Sequence, residues 1–307
     1  MGTPDFAVES LKVLVENDYN VVGVITMPDK PAGRGHKIQY SPVKQYALDQ
    51  NLPLLQPEKL KDETFLEELK SLKADLQIVV AFRMLPEVVW NMPKYGTFNL
   101  HASLLPQYRG AAPINWAIIN GEKETGATTF FLTHEIDTGK IILQEKISIT
   151  ETDDAGIVHD KLMAMGAELV KKTVDLLIAG EIEAIDQSQF IPSDLQLKSA
   201  PKIFKETCEI NLNQDVEAVY NFVRGMSPYP TAWLEIQFPN QSDKNVLKVF
   251  ETEKEYENHN LPIGTLVTDG KKFAKIALKN GFISFKSVQA PGKKRMEIGE
   301  LLRGMRF

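Results

Sequence analysis

The sequence predicts an α/β protein of two domains, in which a doubly wound, mainly parallel sheet precedes a small β-rich domain. Three observations support this prediction. The chain has 307 residues, which is more than one hydrophobic core usually organises. Its first half alternates short apolar runs with amphipathic helical patterns, whereas its last third contains mainly short strand patterns between Gly, Pro and Asn. Strands that alternate with helices favour βαβ units and a parallel sheet.

The elements of the first domain follow from the spacing of its apolar residues. The predicted strands are Val21–Thr26, Leu76–Phe82, Thr97–Leu100 and Thr128–Leu132. The predicted helices are Ala7–Asn17, Ser41–Asn51, Glu63–Lys73, Pro113–Asn120 and the long amphipathic segment Ala155–Ala179. Gly180 suits the C-terminal end of that last helix. Ligands of such sheets bind beyond the carboxyl ends of the strands.

The composition changes after the long helix. Polar runs and prolines over residues 181–207 indicate a linker, so the predicted division is 1–180, 181–207 and 208–307. One helix is predicted at Val216–Arg224 among several short strands. Such a pattern indicates a small β-barrel or sandwich. The predicted strands are Thr231–Gln237, Val246–Glu251, Ile263–Val267, Phe273–Ala277 and Phe282–Val288.

The composition excludes several classes of protein. A hydrophobic share of 43% and a charged share of 25% are typical of soluble globular proteins. No apolar run is long enough for a transmembrane helix, and the first residues do not resemble a signal peptide. The single cysteine, Cys208, excludes an internal disulfide and a cysteine-based zinc site. We therefore expect a cytoplasmic protein with no metal.

The charge is unevenly distributed along the chain. The net charge is −6, yet the residues from Pro201 onward carry 16 Lys and Arg against 13 Asp and Glu. A basic C-terminal domain on an acidic body is compatible with a polyanionic partner such as nucleic acid. So small an excess is equally compatible with an ordinary solvated surface, and charge alone does not decide between them.

The most informative segment is Gly96–Pro113, GTFNLHASLLPQYRGAAP. A strand is predicted to end near Leu100, and the side chains of Asn99 and His101 point to the same face of an extended chain. The amide of Asn is a donor that does not titrate, and His can be a donor, an acceptor or a cation. Together they could stabilise a carbonyl oxygen that becomes an oxyanion. An Asn-x-His pair at a strand end also fits a loop-capping role.

A second polar segment, HEIDTGKI, follows the predicted strand Thr128–Leu132. Asp137, Thr138 and Gly139 form a tight-turn sequence. Taken alone, this turn fits a hairpin in which the Asp side chain caps its own backbone.

Together, FNLHASLLPQYRGAAPI and HEIDTGKI resemble the signature of the 10-formyltetrahydrofolate-using formyltransferases. The family pattern is Asn-x-His-x-Ser-Leu-Leu-Pro followed by an Asp-x-Gly turn, and here His101 and Asp137 are 36 positions apart. The resemblance implies a Rossmann-like catalytic domain that transfers a formyl group to an amine, with Asn99, His101 and Asp137 as catalytic residues. It implies a folate pocket lined by Phe82, Arg83, Met84, Leu85, Ser103, Leu104, Leu105 and Pro106, with Arg109 and Gly110 near the substrate.

Three further features resemble the branch of this family that formylates methionyl-initiator tRNA for translation initiation. These are the opening MGTPDFAV, the basic loop Asp29–Lys44 and a C-terminal domain that contains NFVRGMSPYP. The resemblance implies an OB-like fold for that domain, a nucleic-acid-binding architecture, in a protein that we expect to be a monomer. Without it, the basic loop would be interpreted as a solvated surface loop. The implied tRNA contacts are Lys30, Arg34, Lys37, Lys44, Lys271, Lys272, Lys293, Lys294 and Arg295.

Two alternatives and one departure accompany this resemblance. A formyltransferase acting on the amine of a sugar nucleotide and a folate-binding formyl hydrolase share parts of the signature. The departure is at the first residue, because the family has a strand before the GTPDF turn and this chain starts at the turn. The first strand is central in a doubly wound sheet. We therefore expect an upstream stretch to be absent from the sequence, or another segment to fill the place.

Overall fold

The structure is a computed structural model, and it describes residues 1–32, 37–191, 196–239 and 243–305. The chain divides into two compact units. The first contains Met1–Gly110, Thr125–Ile147 and His159–Ser199, and the second contains Ala111–Glu124, Ser148–Val158 and Ala200–Phe307. Within the described residues, no helix is both long and apolar enough to cross a membrane.

The first unit contains most of the strands of the α/β half. They are β1 (Val24–Ile25), β2 (Lys30–Ala32), β3 (Lys37–Gln39), β4 (Leu54–Leu55), β5 (Gln77–Val80), β6 (Thr97–His101), β7 (Arg109–Gly110), β8 (Glu124–Phe131) and β9 (Ile141–Ser148). The main sheet has the order β5-β6-β8-β9, and β1 pairs with β4 in parallel. Strands β5 and β6 are parallel, whereas β8 runs antiparallel to β6. The sheet, predicted to be mainly parallel, is therefore mixed at this edge.

Met1 and Gly2 lie between the two parallel pairs. The Gly2 amide donates to the Ile25 carbonyl at 3.0 Å, and the Val80 amide donates to the Met1 carbonyl at 2.9 Å. These two residues thus occupy the place where we expected a gap in the sheet. A Cβ at Gly2 would lie 2.4 Å from the Cβ of Ala7, so this approach requires glycine.

The helices of the α/β half agree with the amphipathic patterns. They are α1 (Asp5–Glu16), α2 (Pro42–Asp49), α3 (Glu63–Ser71), α4 (Glu87–Trp90), α5 (Pro113–Ile119) and α6 (Ala155–Ala179). Ser41 caps α2 by accepting from the Lys44 amide at 3.1 Å, and Asp62 caps α3 by accepting from the Phe65 amide at 3.2 Å. Such caps satisfy amides that lack a partner inside the helix. Gly180 follows α6 with a φ of 71°, as predicted for the end of that helix.

The second unit is built on an antiparallel sheet that forms a curled half-barrel. Its elements are β10 (Ser199–Ala200), α7 (Val216–Met226), β11 (Ala232–Ile236), β12 (Asn245–Glu255), β13 (Leu266–Thr268), β14 (Ala274–Leu278), β15 (Gly281–Gln289), β16 (Met296–Glu297) and α8 (Ile298–Arg303). The order is β11-β12-β15-β14-β13, and β16 pairs with β15. Register shifts at Val249–Thr252 bend β12 against β15. Buried apolar residues of α7, α8 and the sheet form the core.

Candidate active site

The site is built on the carboxyl end of β6. Asn99 is half-buried, whereas the His101 side chain is only 8% exposed. His101 Nε2 lies 2.9 Å from the carbonyl oxygen of Tyr108. Because a carbonyl can only accept, Nε2 carries the hydrogen in this arrangement. The other ring nitrogen, Nδ1, therefore remains for chemistry.

Asp137 faces that second nitrogen. Its Oδ2 lies 3.8 Å from His101 Nδ1 and accepts a hydrogen bond from the Gly110 amide at 2.9 Å. The Asp137 side chain is 16% exposed. No hydrogen bond within the described residues reaches its other oxygen, Oδ1, which leaves that atom available to accept a proton. The structure thus brings together His101 and Asp137, two of the residues that the resemblance implies for the site.

The amide of Asn99 has no hydrogen-bond partner among the described residues. Asn99 pairs in register with Val79 on one side and with Phe130 on the other, and His101 pairs with Thr128. The alternation of β6 places Asn99 and His101 on the same face of the sheet. A half-buried amide with unused donors can hydrogen-bond a ligand, which is less consistent with a loop-capping role.

Asp137 owes its position to an unusual backbone. Its φ is 56°, in the left-handed region, where Asp and Asn are among the few residues tolerated. Gly139 closes the same turn, and a Cβ there would lie 1.7 Å from the Phe131 carbonyl oxygen. The DTG turn therefore requires glycine at 139 and favours Asp at 137.

The loop after β6 is tied to the sheet through one hydroxyl. Thr128 Oγ1 donates to the Ser103 carbonyl at 2.7 Å and accepts from the Leu105 amide at 3.1 Å and from Gln144 Nε2 at 2.9 Å. Thr128 is fully buried. The Ser103 hydroxyl donates to the Gln107 carbonyl at 2.7 Å. These bonds hold the Ser-Leu-Leu-Pro segment in one shape.

Half of the eight side chains predicted to line the folate pocket are buried, namely Leu85, Ser103, Leu105 and Pro106. Leu105 packs with Phe130 in a small core cluster, and Pro106 is buried as well. Leu104 is half-buried beside Gly126, where a Cβ would lie 2.5 Å from Leu104 Cδ2. The side chains of Leu105 and Pro106 therefore anchor the loop in the interior of the first unit. Any ligand contact made by this segment would come from Leu104 or the backbone.

Residues 82–85 form the other half of the predicted pocket, and they likewise include both buried and exposed side chains. Leu85 is buried in the core cluster against which Phe82 packs. The Arg83 guanidinium donates to the Pro57 carbonyl and, at 2.8 Å, to the Glu58 carbonyl. Burial lowers the pKa of Arg83. Only Met84, which is 73% exposed, projects freely from this segment.

The residues predicted to contact tRNA are found in three situations. Lys44 is buried, and its ammonium binds the carboxylate of Asp29 and, at 2.9 Å, Gln56 Oε1. The ammonium of Lys44 is therefore already engaged within the first unit. Arg295 is bound to Glu251. The residues that are exposed and form no ion pair within the described part of the structure are Lys271, Lys272, Lys293 and Lys294. Arg34 and the side chains of Lys30 and Lys37 lie outside the described part of the structure.

One residue of the site has no counterpart in the sequence predictions. Gln187 is 2% exposed, and its Nε2 donates to the carbonyls of Asp137 and Gly139, each at 2.8 Å. Its Oε1 accepts from Arg109 Nε at 3.1 Å and from Arg109 Nη2 at 2.5 Å. It lies on a 3-10 turn, Gln187–Phe190, within the segment predicted to be a linker. The polar composition of that segment gave no signal of a buried amide.

Comparison with known proteins agrees with this geometry. The profile of the formyl transferase family matches residues 1–174, and that of the formyl transferase C-terminal domain matches residues 202–306.

The chain belongs to the formyl transferase family.

The resemblance inferred from the two sequence segments is therefore confirmed. Members of the family similar to this chain over its whole length include the methionyl-tRNA formyltransferase of Bacteroides thetaiotaomicron, which is 66% identical over 307 residues, covering 100% of this chain and 95% of that protein. The corresponding protein of Parabacteroides distasonis is 63% identical, over 100% of this chain and 94% of that protein. That of Flavobacterium johnsoniae is 53% identical, over 100% and 95%.

Solved structures of other formyl transferases share the fold. The sugar 3N-formyl transferase WlaRD, crystallised in the presence of dTDP and 5-N-formyl-THF, gives a TM-score of 0.63 at 20% identity, covering 95% of this chain and 97% of that one. An N-formyltransferase from Helicobacter canadensis, in complex with folinic acid and dTDP-3-aminofucose, gives 0.62 at 20% identity, covering 94% and 97%. Among the described residues of this chain, no group of three or more His, Cys, Asp or Glu could hold a metal ion.

Proposed function

We propose that this chain transfers the formyl group of 10-formyltetrahydrofolate to the α-amine of methionyl-initiator tRNA. The observation that carries the proposal is the Asp137 carboxylate, held by the Gly110 amide at 2.9 Å and facing His101 Nδ1 at 3.8 Å. Its support comes from relatives with 66% and 63% identity over the whole chain, which are methionyl-tRNA formyltransferases. The folate is a co-substrate of the reaction.

The chemistry begins at the formyl carbon. The amine nitrogen attacks this carbon, a new C–N bond forms, and the carbonyl electrons move onto oxygen. Asn99 donates to that oxygen from its unused amide, and His101 donates from Nδ1 as the doubly protonated imidazolium, since its Nε2 hydrogen is already used by the Tyr108 carbonyl. One such donor is worth about 3 kcal/mol of barrier in other enzymes.

The proton of the attacking amine needs an acceptor. Asp137 Oδ1 is the available atom, directly or through one water, while Oδ2 remains bound to the Gly110 amide. When the carbonyl re-forms, the bond between carbon and the folate nitrogen breaks. That nitrogen takes up the proton that Asp137 received from the amine, directly or through water, and leaves as tetrahydrofolate, so charge and atoms balance without a covalent enzyme intermediate.

Alanine variants test the three side chains in turn. We expect Asn99→Ala, His101→Ala and Asp137→Ala each to lower kcat by about 10²–10³-fold, measured as formyl-methionyl-tRNA formed at saturating substrates. The matched controls are the variants Asn91→Ala, His134→Ala and Asp160→Ala, at exposed positions. These variants should retain their turnover. A folded variant of Asn99, His101 or Asp137 that keeps most of its turnover removes that residue from the reaction.

Three parallel assays with different formyl acceptors distinguish this function from the alternatives. The wild-type protein is incubated with 10-formyltetrahydrofolate and charged initiator tRNA, an amino-sugar nucleotide, or water alone. Rapid formylation of the tRNA only is expected. Faster transfer to the sugar nucleotide, or formate release without an acceptor, would instead support one of the alternative activities.

The proposed tRNA contacts lie on exposed lysines of the second unit. Lys271 and Lys272 follow Asp269, whose carboxylate accepts from both of their backbone amides at 2.9 and 2.7 Å. The turn is thus fixed while both side chains are exposed. Lys293 and Lys294 form a second exposed pair. An OB-like barrel remains our proposal for this domain, as do the division at residues 180 and 207, a monomeric state and a cytoplasmic location.

A further inference from the structure

The side-chain amide of Gln187 connects its own 3-10 turn to Arg109 and to the turn 137–139 by hydrogen bonds. Its donors are used by the carbonyls on both sides of Thr138, and its acceptor is used twice by Arg109. Both hydrogens of the amide and its oxygen are therefore engaged, in a site that is 2% exposed. A buried amide with every group satisfied is rigid, and replacing it leaves several buried polar groups without partners.

The bonds of Gln187 converge on the carboxylate of Asp137. One bond fixes the Asp137 carbonyl at 2.8 Å, next to a Cα with a φ of 56°. The bonds to Arg109 fix the residue before Gly110, whose amide holds Asp137 Oδ2 at 2.9 Å. Gln187 therefore supports both the backbone that carries the carboxylate and the donor that orients it.

The 3-10 turn that carries Gln187 is itself anchored. Asp186 caps it by accepting from the Ser188 amide at 2.9 Å and the Ser188 hydroxyl at 2.7 Å, and these bonds lower the pKa of Asp186. Just before it, Ile185 and Ile141 exchange two backbone hydrogen bonds of 2.8 Å. The amide is thus presented from a fixed backbone rather than from a loose segment.

We propose that Gln187 is a positioning residue for formyl transfer, acting through Asp137. The inference rests on the proposed function, in which Asp137 Oδ1 accepts the amine proton. An acceptor must lie within hydrogen-bond reach of the proton that it removes. A displacement of about 1 Å at such a site can cost about 10²-fold in rate. Loss of the two Gln187 donors would free the DTG turn to make such a displacement.

Gln187→Glu tests the donors with little change of shape. A carboxylate can still accept from Arg109, but it cannot donate to the carbonyls of Asp137 and Gly139 when ionised. We expect kcat to fall about 10²-fold, with the KM values for folate and tRNA nearly unchanged. Gln187→Met removes all four bonds without adding charge, and it carries the test if the Glu variant does not fold. Gln189→Glu, at an exposed position of the same turn, is the matched control.

A double-mutant cycle separates positioning from general stability. If Gln187 acts through Asp137, Gln187→Glu should lower kcat in the wild type and add little in an Asp137→Ala background. Thermal unfolding of each variant confirms that the assayed protein is folded. A purely structural residue would lower the unfolding temperature and leave the kcat of folded molecules unchanged.

The outcomes distinguish the two proposals. If Asp137→Ala is inactive while folded Gln187→Glu and Gln187→Met match Gln189→Glu in kcat, the positioning role is overturned and the proposed function stands. If Gln187→Glu lowers kcat equally in both backgrounds, the residue does not act through Asp137, and the inference is also overturned. If Asp137→Ala retains turnover, the proposed mechanism fails, and the role of Gln187 fails with it.

Discussion

At some positions of the site, contact with a single backbone atom restricts which residue types can be accommodated. Gly139 shows this most clearly, because a Cβ at this position would lie 1.7 Å from the Phe131 carbonyl oxygen and 2.8 Å from its carbon. Those atoms belong to the end of β8 and cannot move as a flexible side chain could. The sequence suggested a tight turn from Asp-Thr-Gly, but the atom that requires glycine is eight positions away.

Gly139→Ala should therefore be strongly destabilising. The added methyl group must displace the turn or the end of β8, and overpacking of this kind costs on the order of 3 kcal/mol. Denaturation by urea measures the loss of unfolding free energy. Gly304→Ala is the matched control, since its φ is −78° and its nearest contacts would be ordinary at 3.5 Å. Equal stability of the two variants would contradict the turn geometry described above.

At the scale of the elements, helices with a regular apolar periodicity were predicted well. Elements whose extent depends on contacts with distant segments were not. The helix Ala155–Ala179 was predicted with its observed bounds, because a long apolar stripe and a terminal glycine are local signals. The Val21–Thr26 strand is reduced to Val24–Ile25, because its partner β4 has only two residues. Helix α8 was not among the elements predicted for the second domain.

One ion pair connects helix α7 to strand β12 and gives a dependence on pH. Hydrogen bonds from Lys254 at 2.9 Å and from the Tyr256 hydroxyl at 2.7 Å lower the pKa of Glu217. A carboxyl group whose pKa is lowered by folding stabilises the folded state at pH values above the ordinary glutamate pKa of about 4.3. This contribution is lost as the pH falls through the lower value of the folded protein.

Glu217→Gln should accordingly reduce the unfolding free energy at pH 7, and the reduction should become smaller as the pH falls below about 4.3. Because Glu217 is 43% exposed, solvent screening limits the difference to about 0.5–1 kcal/mol. Chemical denaturation at several pH values measures it. Glu235→Gln, at an exposed position of β11, should show no such dependence. A Glu217→Gln difference that persists unchanged to pH 3 would contradict the assignment.

For the whole molecule, the family could be predicted from sequence because its two motifs lie at a fixed spacing. Asn99, His101 and Asp137 were inferred as a site in this way, and the structure brings His101 and Asp137 together. Gln187 was not predicted, because its partners lie 78, 50 and 48 positions away and polar composition cannot reveal such contacts. The pairing of the Lys44 ammonium with Asp29 and Gln56 was not predicted for the same reason.

Binding of a tRNA by this acidic protein should depend on a few exposed lysines. We expect the double variant Lys271→Ala with Lys272→Ala to weaken tRNA binding and to reduce the slope of log affinity against log salt by about one per lysine. Titrations at several salt concentrations measure this slope. Lys286→Ala is the control, because Glu253 already holds its ammonium at 2.9 Å. An unchanged slope in the double variant would exclude this pair from the interface.

The left-handed backbone of Asp137 also restricts how this position can evolve. Few residue types other than Gly, Asn and Asp tolerate a φ of 56° without strain, and of these three only Asp carries a carboxylate. A random library at this codon, selected first for folding, should return chiefly Gly, Asn and Asp. Selected afterwards for formyl transfer, it should return Asp. The fold and the chemistry impose two separate filters, and a single amino acid passes both.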